Sequence, residues 1–116
     1  MNDNYKEDRP WGSFEILLEE EYLKLKRIVV KPDKRLSLQS HKQRSENWVI
    51  IQGNALITLG EEEIPRSENQ SVFIPAGAKH RIANVGKKDV VFIEVQTGSY
   101  FGEDDIVRYE DDFNRS

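Results

Sequence analysis

Cysteine is absent from all 116 residues. That excludes a disulfide framework, and any metal centre has to be assembled from nitrogen and oxygen donors. Long apolar runs are missing too. None approaches the roughly 20 residues of a spanning helix, and the mean hydropathy is −0.70, so no membrane is expected as a partner. The opening residues, MNDNYKEDRPWG, lack the apolar stretch of a secretory signal, which makes the cytoplasm the expected compartment. Nor is there an excess of positive charge. The formal net charge is −4, and no general nucleic-acid footprint is supported. No repeat, low-complexity tract or long linker divides the chain, and its length suits one domain, since single cores usually occupy roughly 100 to 150 residues.

The charge that is present lies unevenly. Lys24, Lys26, Arg27, Lys31, Lys34, Arg35, Lys42 and Arg44 are opposed within their segment only by Asp33, whereas the tail over 101–116 is acidic. A basic segment beside a metal ion can receive an anionic small molecule. Most of its lysines serve equally well as solvated charges guarding strand edges.

Short apolar runs alternate with turn residues, and no long window holds a helical period. YLKLKRIVV stops at Lys31-Pro32-Asp33. RLSLQSH alternates. NWVIIQ leads through Gly53-Asn54 into ALITL, which predicts a hairpin. EEEIPR is edge-like because of Pro65, and SVFIP, KHRIAN and VVFIEVQ complete the series. The pattern is all-β, a sandwich or barrel. Residues 1–12 are expected as an N-terminal arm, and DDIVRYEDDF as one helical turn or a strap across the barrel. A core this small favours pairing with a second copy through a sheet face, so a homodimer is expected.

One stretch resists this plain reading. LQSHKQRSENW places Gln39, His41, Arg44 and Glu46 where aliphatic residues would be buried. Strand parity puts Gln39 and His41 on one face, with Leu36, Leu38 and Ser40 on the other. After a return at KQRS, Glu46 shares a face with Trp48 and Ile50. A tight antiparallel return would set Glu46 opposite Gln39 and His41, so three donors can converge. His80, the second of two histidines, follows IPAGAK at the mouth of another strand. Imidazole, carboxylate and amide donors together suit Zn, Fe, Mn, Ni or Co. A lone histidine beside a turn is more often satisfied or exposed, so the weight falls on two patterns that each contain one.

Residues 39–53 read Q-x-H-x4-E-x6-G and residues 75–84 read P-x-G-x2-H-x3-N. These resemble the two motifs of the cupin superfamily, with Gln39 where many cupins carry a histidine. Asn69 and Asp33 stand where the pattern usually has glycine. RPWGSFE, LSLQSHKQRSENWVIIQG, FIPAGAKHRIAN and IEVQTGSYFGEDDIVRYEDDFNR further resemble the C-terminal cupin domain of type II phosphomannose isomerases, nearly throughout from Arg9 onward.

The resemblance implies a single cupin-type double-stranded β-helix, a jelly-roll barrel spanning 1–116. It implies metal ligands at Gln39, His41, Glu46 and His80, and a divalent ion, Zn2+ foremost with Co2+, Mn2+, Ni2+ or Fe2+ as alternatives. Arg44, in an R-x-E pattern, is a candidate for catalysis or phosphate binding, with a surface ion pair to Glu46 as the plain alternative. Lys26 shares parity with Ile28 and Val30 and is a candidate for substrate binding, or else a solvated lysine. Arg108 is a further substrate candidate, or a tail ion pair. Lys79 and Arg81 are expected to face away from the metal. The implied activity, within carbohydrate metabolism and polysaccharide biosynthesis, is interconversion of mannose 6-phosphate and fructose 6-phosphate. The base is not identified; Glu46 and a metal-bound water are both open. In that family the domain usually follows a GDP-mannose pyrophosphorylase domain. No Gly-rich phosphate loop is present, so guanylyltransferase activity is not expected. Other classes stay open: a cupin dioxygenase, or a non-catalytic module binding a sugar phosphate or nucleotide sugar. A metal-free epimerase fits less well, because both histidines are taken as ligands.

Overall fold

Alternating inward aliphatics build eleven strands in the computed structural model, which describes residues 4–113. They are β1 (Lys6–Arg9), β2 (Gly12–Glu19), β3 (Leu23–Val30), β4 (Leu38–His41), β5 (Arg44–Gln52), β6 (Ala55–Leu59), β7 (Glu62–Arg66), β8 (Ser71–Ile74), β9 (His80–Asn84), β10 (Val90–Gly98) and β11 (Ile106–Glu110). One sheet has the order β1-β2-β3-β10-β5-β8 and the other β11-β4-β9-β6-β7, antiparallel throughout. The two face each other across a shared interior, which is the jelly-roll barrel.

The interior is divided along its axis. Ile28, Val30, Ile50, Ile57, Ile82, Val90 and Phe92 are all buried and fill one half, while buried Ile74 lies opposite Glu46. Burial of side chains of this size contributes roughly 1.5–3 kcal/mol each. Toward the other end the same inward parity carries Lys26, Glu46, Glu94 and Gln96, also buried.

Two local expectations change. Gly53-Asn54 closes no hairpin: both edges of β5 are taken, by β10 and β8, so the chain crosses to the other sheet. Gly53 adopts φ +94, and a Cβ there would lie 2.8 Å from the Asp89 carbonyl oxygen, so the crossing demands glycine. The return at KQRS is likewise a corner. β4 and β5 belong to opposite sheets, and the Asp105 carboxylate accepts the backbone N–H groups of Lys42 (3.1 Å) and Gln43 (2.9 Å). The two-residue hairpin instead joins β6 to β7 at Gly60-Glu61, with Leu59 opposite Glu62.

The termini are built in. Within the arm expected over 1–12, β1 pairs with β2 and Trp11 is buried in the core; residues 1–3 of it lie outside the described residues. The acidic tail forms a short 3-10 turn at Glu103–Asp105, then β11, which pairs with β4. Residues 114–116 of the tail also lie outside them. Arg35 clamps Asp112 through two hydrogen bonds (2.7 and 2.9 Å), and Ser40 meets the Tyr109 hydroxyl at 3.0 Å.

Asp33 and Asn69 are the two non-glycine residues with left-handed backbone among those described, at φ +66 and +70. The turn geometry that glycine would supply survives, because Asp and Asn tolerate that region better than other L-residues. Asn69→Gly is expected to leave stability unchanged or slightly higher in urea unfolding. Asn69→Val, β-branched at the same φ, should lower it by about 1–2 kcal/mol.

Candidate metal centre

Facing sheets, rather than a hairpin, bring the donors together. β4 supplies Gln39 and His41, β9 supplies His80, and β5 supplies Glu46 from across the barrel. Gln39 lies directly opposite His80 in the β4–β9 pairing, and Arg108 directly opposite Gln39 in the β11–β4 pairing.

Ligand atoms of His41, Glu46 and His80 all lie within 4.8 Å of one another, and all three residues are buried. His41 Nδ1 is 3.6 Å from Glu46 Oε2, and His80 Nε2 is 4.0 Å from Glu46 Oε1. A tetrahedral ion with bonds of about 2.1 Å sets its ligand atoms about 3.4 Å apart, so the three donors need only small adjustment. His80 Nδ1 lies 3.0 Å from the Ala78 carbonyl oxygen. Donating there fixes the tautomer and leaves Nε2 as the free lone pair. Gln39 gives its amide N–H to the Ser37 hydroxyl at 2.9 Å, so that bond does not use its carbonyl oxygen. Burial, then Arg44 and His80 beside it, pushes the His41 imidazole down to about 2, and burial lowers His80 as well. Both rings are therefore neutral at pH 7, the form that binds metal. The donor set fits a divalent cation.

Arg44 is inside the barrel, not on its surface. Its Nε donates to Glu46 Oε2 at 2.9 Å, and its Nη2 lies 2.9 Å from His41 Nε2. Trp48 Nε1 donates to the other Glu46 oxygen at 2.9 Å. Coordination by His41, through either nitrogen, displaces the guanidinium from Nε2, because a metal-bound imidazole has no lone pair left to accept with.

An open cavity adjoins this cluster, bordered by Gln39, Glu46 and His80. Lys26, Arg44 and Arg108 border it as well, so the three substrate candidates lie around one space. Lys26 does enter the barrel; its Nζ rests 4.7 Å from the centre of the Phe14 ring. Arg81, expected to face away, also borders the cavity, yet its guanidinium is engaged by the Leu36 carbonyl oxygen (2.9 Å) and Glu110 (3.0 Å). Lys79 stays exposed, over the Tyr109 ring.

Glu94 and Gln96 are the residues that sequence reasoning passed over. Lys26, Glu94 and Trp48 form one row across β3, β10 and β5; Gln96 and Glu46 form the next. Glu94 borders the cavity, and Gln96 donates to its carboxylate. The signal was available: VVFIEVQ alternates Val90, Phe92, Glu94, Gln96 inward with valine and isoleucine outward. An acid at an inward strand position calls for a role.

Burial, and next the Glu46 charge, push the Glu94 carboxyl up to about 7. The unfolded carboxyl ionises from pH 4.5 upward while the folded one keeps its proton, so Glu94 destabilises the fold increasingly between pH 4.5 and 7. In metal-free protein, Glu94→Gln should leave stability nearly unchanged at pH 4.5 and raise it by up to about 3 kcal/mol at pH 8. Denaturant titrations at the two pH values check the sign.

Residues 2–111 match the model of the mannose-6-phosphate isomerase C-terminal family. The xanthan biosynthesis protein XanB of Xanthomonas campestris pv. campestris is 49% identical over 93% of this chain, and the mannose-1-phosphate guanylyltransferase ManC of Salmonella typhimurium is 45% identical over 92%. The chain spans only 23% and 22% of those relatives' lengths. Among solved structures, the Schizosaccharomyces pombe Cnp3 cupin domain superposes with a TM-score of 0.72, at 18% identity, over 74% of this chain and 64% of that one. That likeness establishes the cupin barrel. The family match and the sequence relatives carry the rest: the chain belongs to the mannose-6-phosphate isomerase C-terminal family.

Proposed function

We propose that this domain is a metal-dependent aldose–ketose isomerase that interconverts mannose 6-phosphate and fructose 6-phosphate. The observation that carries the reading is a buried donor cluster set beside a cavity rich in cations, in a chain of this family. Gln39, His41, Glu46 and His80 would hold a divalent ion, with Zn2+ sufficient because no electron is transferred. When bound, such an ion supplies Lewis-acid stabilisation of the oxygen that gains charge as a proton moves between C1 and C2.

The chain's own residues account for the other requirements. Lys26 and Arg108 border the cavity from opposite sheets and supply charge for the phosphate, the guanidinium offering two parallel donors. Arg44 orients Glu46. Trp48 and Arg44 engage both oxygens of Glu46, which suits that carboxylate to hold an ion rather than carry a proton.

A second copy is proposed as the partner. Val49, Ile51, Phe73, Val91, Ile93 and Val95 share the outward parity of the β10-β5-β8 region, with Ile51 and Phe73 50% and 52% exposed. A largely apolar sheet face of this kind suits pairing with a second copy. Ile51→Lys with Phe73→Lys should convert a dimer to monomer in light scattering; a monomeric parent chain refutes the pairing.

Activity is tested on protein stripped of metal and reloaded ion by ion in a coupled assay. Conversion of mannose 6-phosphate is expected with at least one divalent ion, and none with any ion sinks the isomerase reading. His80→Ala should lose bound metal and turnover together, while Lys87→Ala, at an exposed turn, should keep both. Full metal occupancy in His80→Ala would refute the ligand set.

A further inference from the structure

We propose that Glu94 is the base that carries the proton between C2 and C1, an assignment that rests on the isomerase reading above. The transfer needs a carboxylate or imidazole that reaches the substrate and is not spent on the ion. Five buried candidates stand near the cavity. His41 and His80 are committed as ligands. Glu46 lies within their cluster, with hydrogen bonds to both of its oxygens. Lys26 is cationic and rests on Phe14. Glu94 remains.

Its placement suits the role. Glu94 is 6% exposed, borders the cavity, and stands one inward position along β10 from Gln96, the residue paired with Glu46. Among the described residues it accepts one hydrogen bond, from Gln96, and belongs to no ion pair. The Gln96 amide fixes the rotamer while leaving the second carboxylate oxygen free to face substrate. The row neighbour Lys26 places positive charge on the same side of the cavity.

In the open-chain aldose the C2–H bond breaks and its proton goes to Glu94. The bonding pair becomes the C1=C2 double bond of an enediolate, and the carbonyl pair moves onto O1. The O2 proton passes to O1, the C2=O bond forms, and Glu94 returns its proton to C1. One base serves both ends, so the hydrogen delivered to C1 is partly exchanged with solvent.

Glu94→Gln and Glu94→Asp are compared with wild type after metal loading. Four readouts are used: bound metal, the Kd for mannose 6-phosphate by calorimetry, kcat, and deuterium uptake at C1 and C2 of the sugar by NMR in heavy water. Glu94→Gln should keep its metal and bind the sugar phosphate within about threefold. Its kcat should fall by about 10²–10⁴-fold and deuterium uptake should cease. Glu94→Asp, which keeps a carboxylate, should recover part of both. A Glu94→Gln protein that turns over within threefold of wild type, or still exchanges deuterium, overturns the assignment and leaves the isomerase reading standing. One that loses its metal overturns it too, making Glu94 a ligand. A loaded wild-type protein that neither converts mannose 6-phosphate nor exchanges its hydrogens removes both.

Discussion

The Glu46 carboxylate is 2% exposed inside the barrel, and burying such a charge unpaired costs several kcal/mol. Arg44 and Trp48 answer that cost from the same strand, each two residues away and on the same inward face. The spacing R-x-E-x-W is thus one electrostatic unit, with cation, anion and donor laid along a single strand. Everything else in the centre is positioned against it. His41 and His80 approach its two oxygens from the facing sheet, and Gln39 reaches the cluster through its pairing with His80. Removing one partner of a buried pair is far costlier than removing an exposed one, which ties the site and the local fold together.

The barrel resolves the conflict between a polar centre and a small core by separating them along its axis. Three neighbouring strands run inward from charged to apolar: Glu46 to Ile50 on β5, Glu94 to Phe92 on β10, Lys26 to Val30 on β3. The apolar half supplies stability and the polar half supplies chemistry. Ring packing joins them, since Trp48 lies against both Phe92 and His80, at 5.1 and 5.6 Å between ring centres.

Much of this was legible in the residues. Period-two alternation located the strands, because a strand buried on one face must alternate, and the parity of Gln39, His41 and Glu46 aimed them inward. What parity does not encode is which sheet a strand joins. The Gly53-Asn54 step and the KQRS return both read as hairpins, yet each is a corner, because sheet membership depends on which distant strands occupy the neighbouring edges. Glu94 escaped for a related reason. In VVFIEVQ its significance comes from Lys26 and Trp48 in the flanking strands, and they are remote in sequence. The tail gave an ambiguous signal because β11 is short and set among acidic residues, and polar contacts hold it, from Ser40 to Tyr109 and from Arg81 to Glu110, with Arg35 on Asp112 just beyond.

β10 is one of the two central strands of its sheet by position but a late one in the chain, and its partners β3 and β5 lie 39 to 74 residues earlier in the register, from Val91 opposite Gln52 to Thr97 opposite Leu23. Closing loops of that size before any pairing can reward them is slow, and antiparallel folds of high contact order assemble over milliseconds to seconds. Residues 39–46 are therefore synthesised well before the strands that enclose them. Until β9 and β10 dock, a nascent chain carries a carboxylate, an imidazole and an apolar sheet face with nothing to cover them, so the interval before closure is when this protein is most exposed to aggregation.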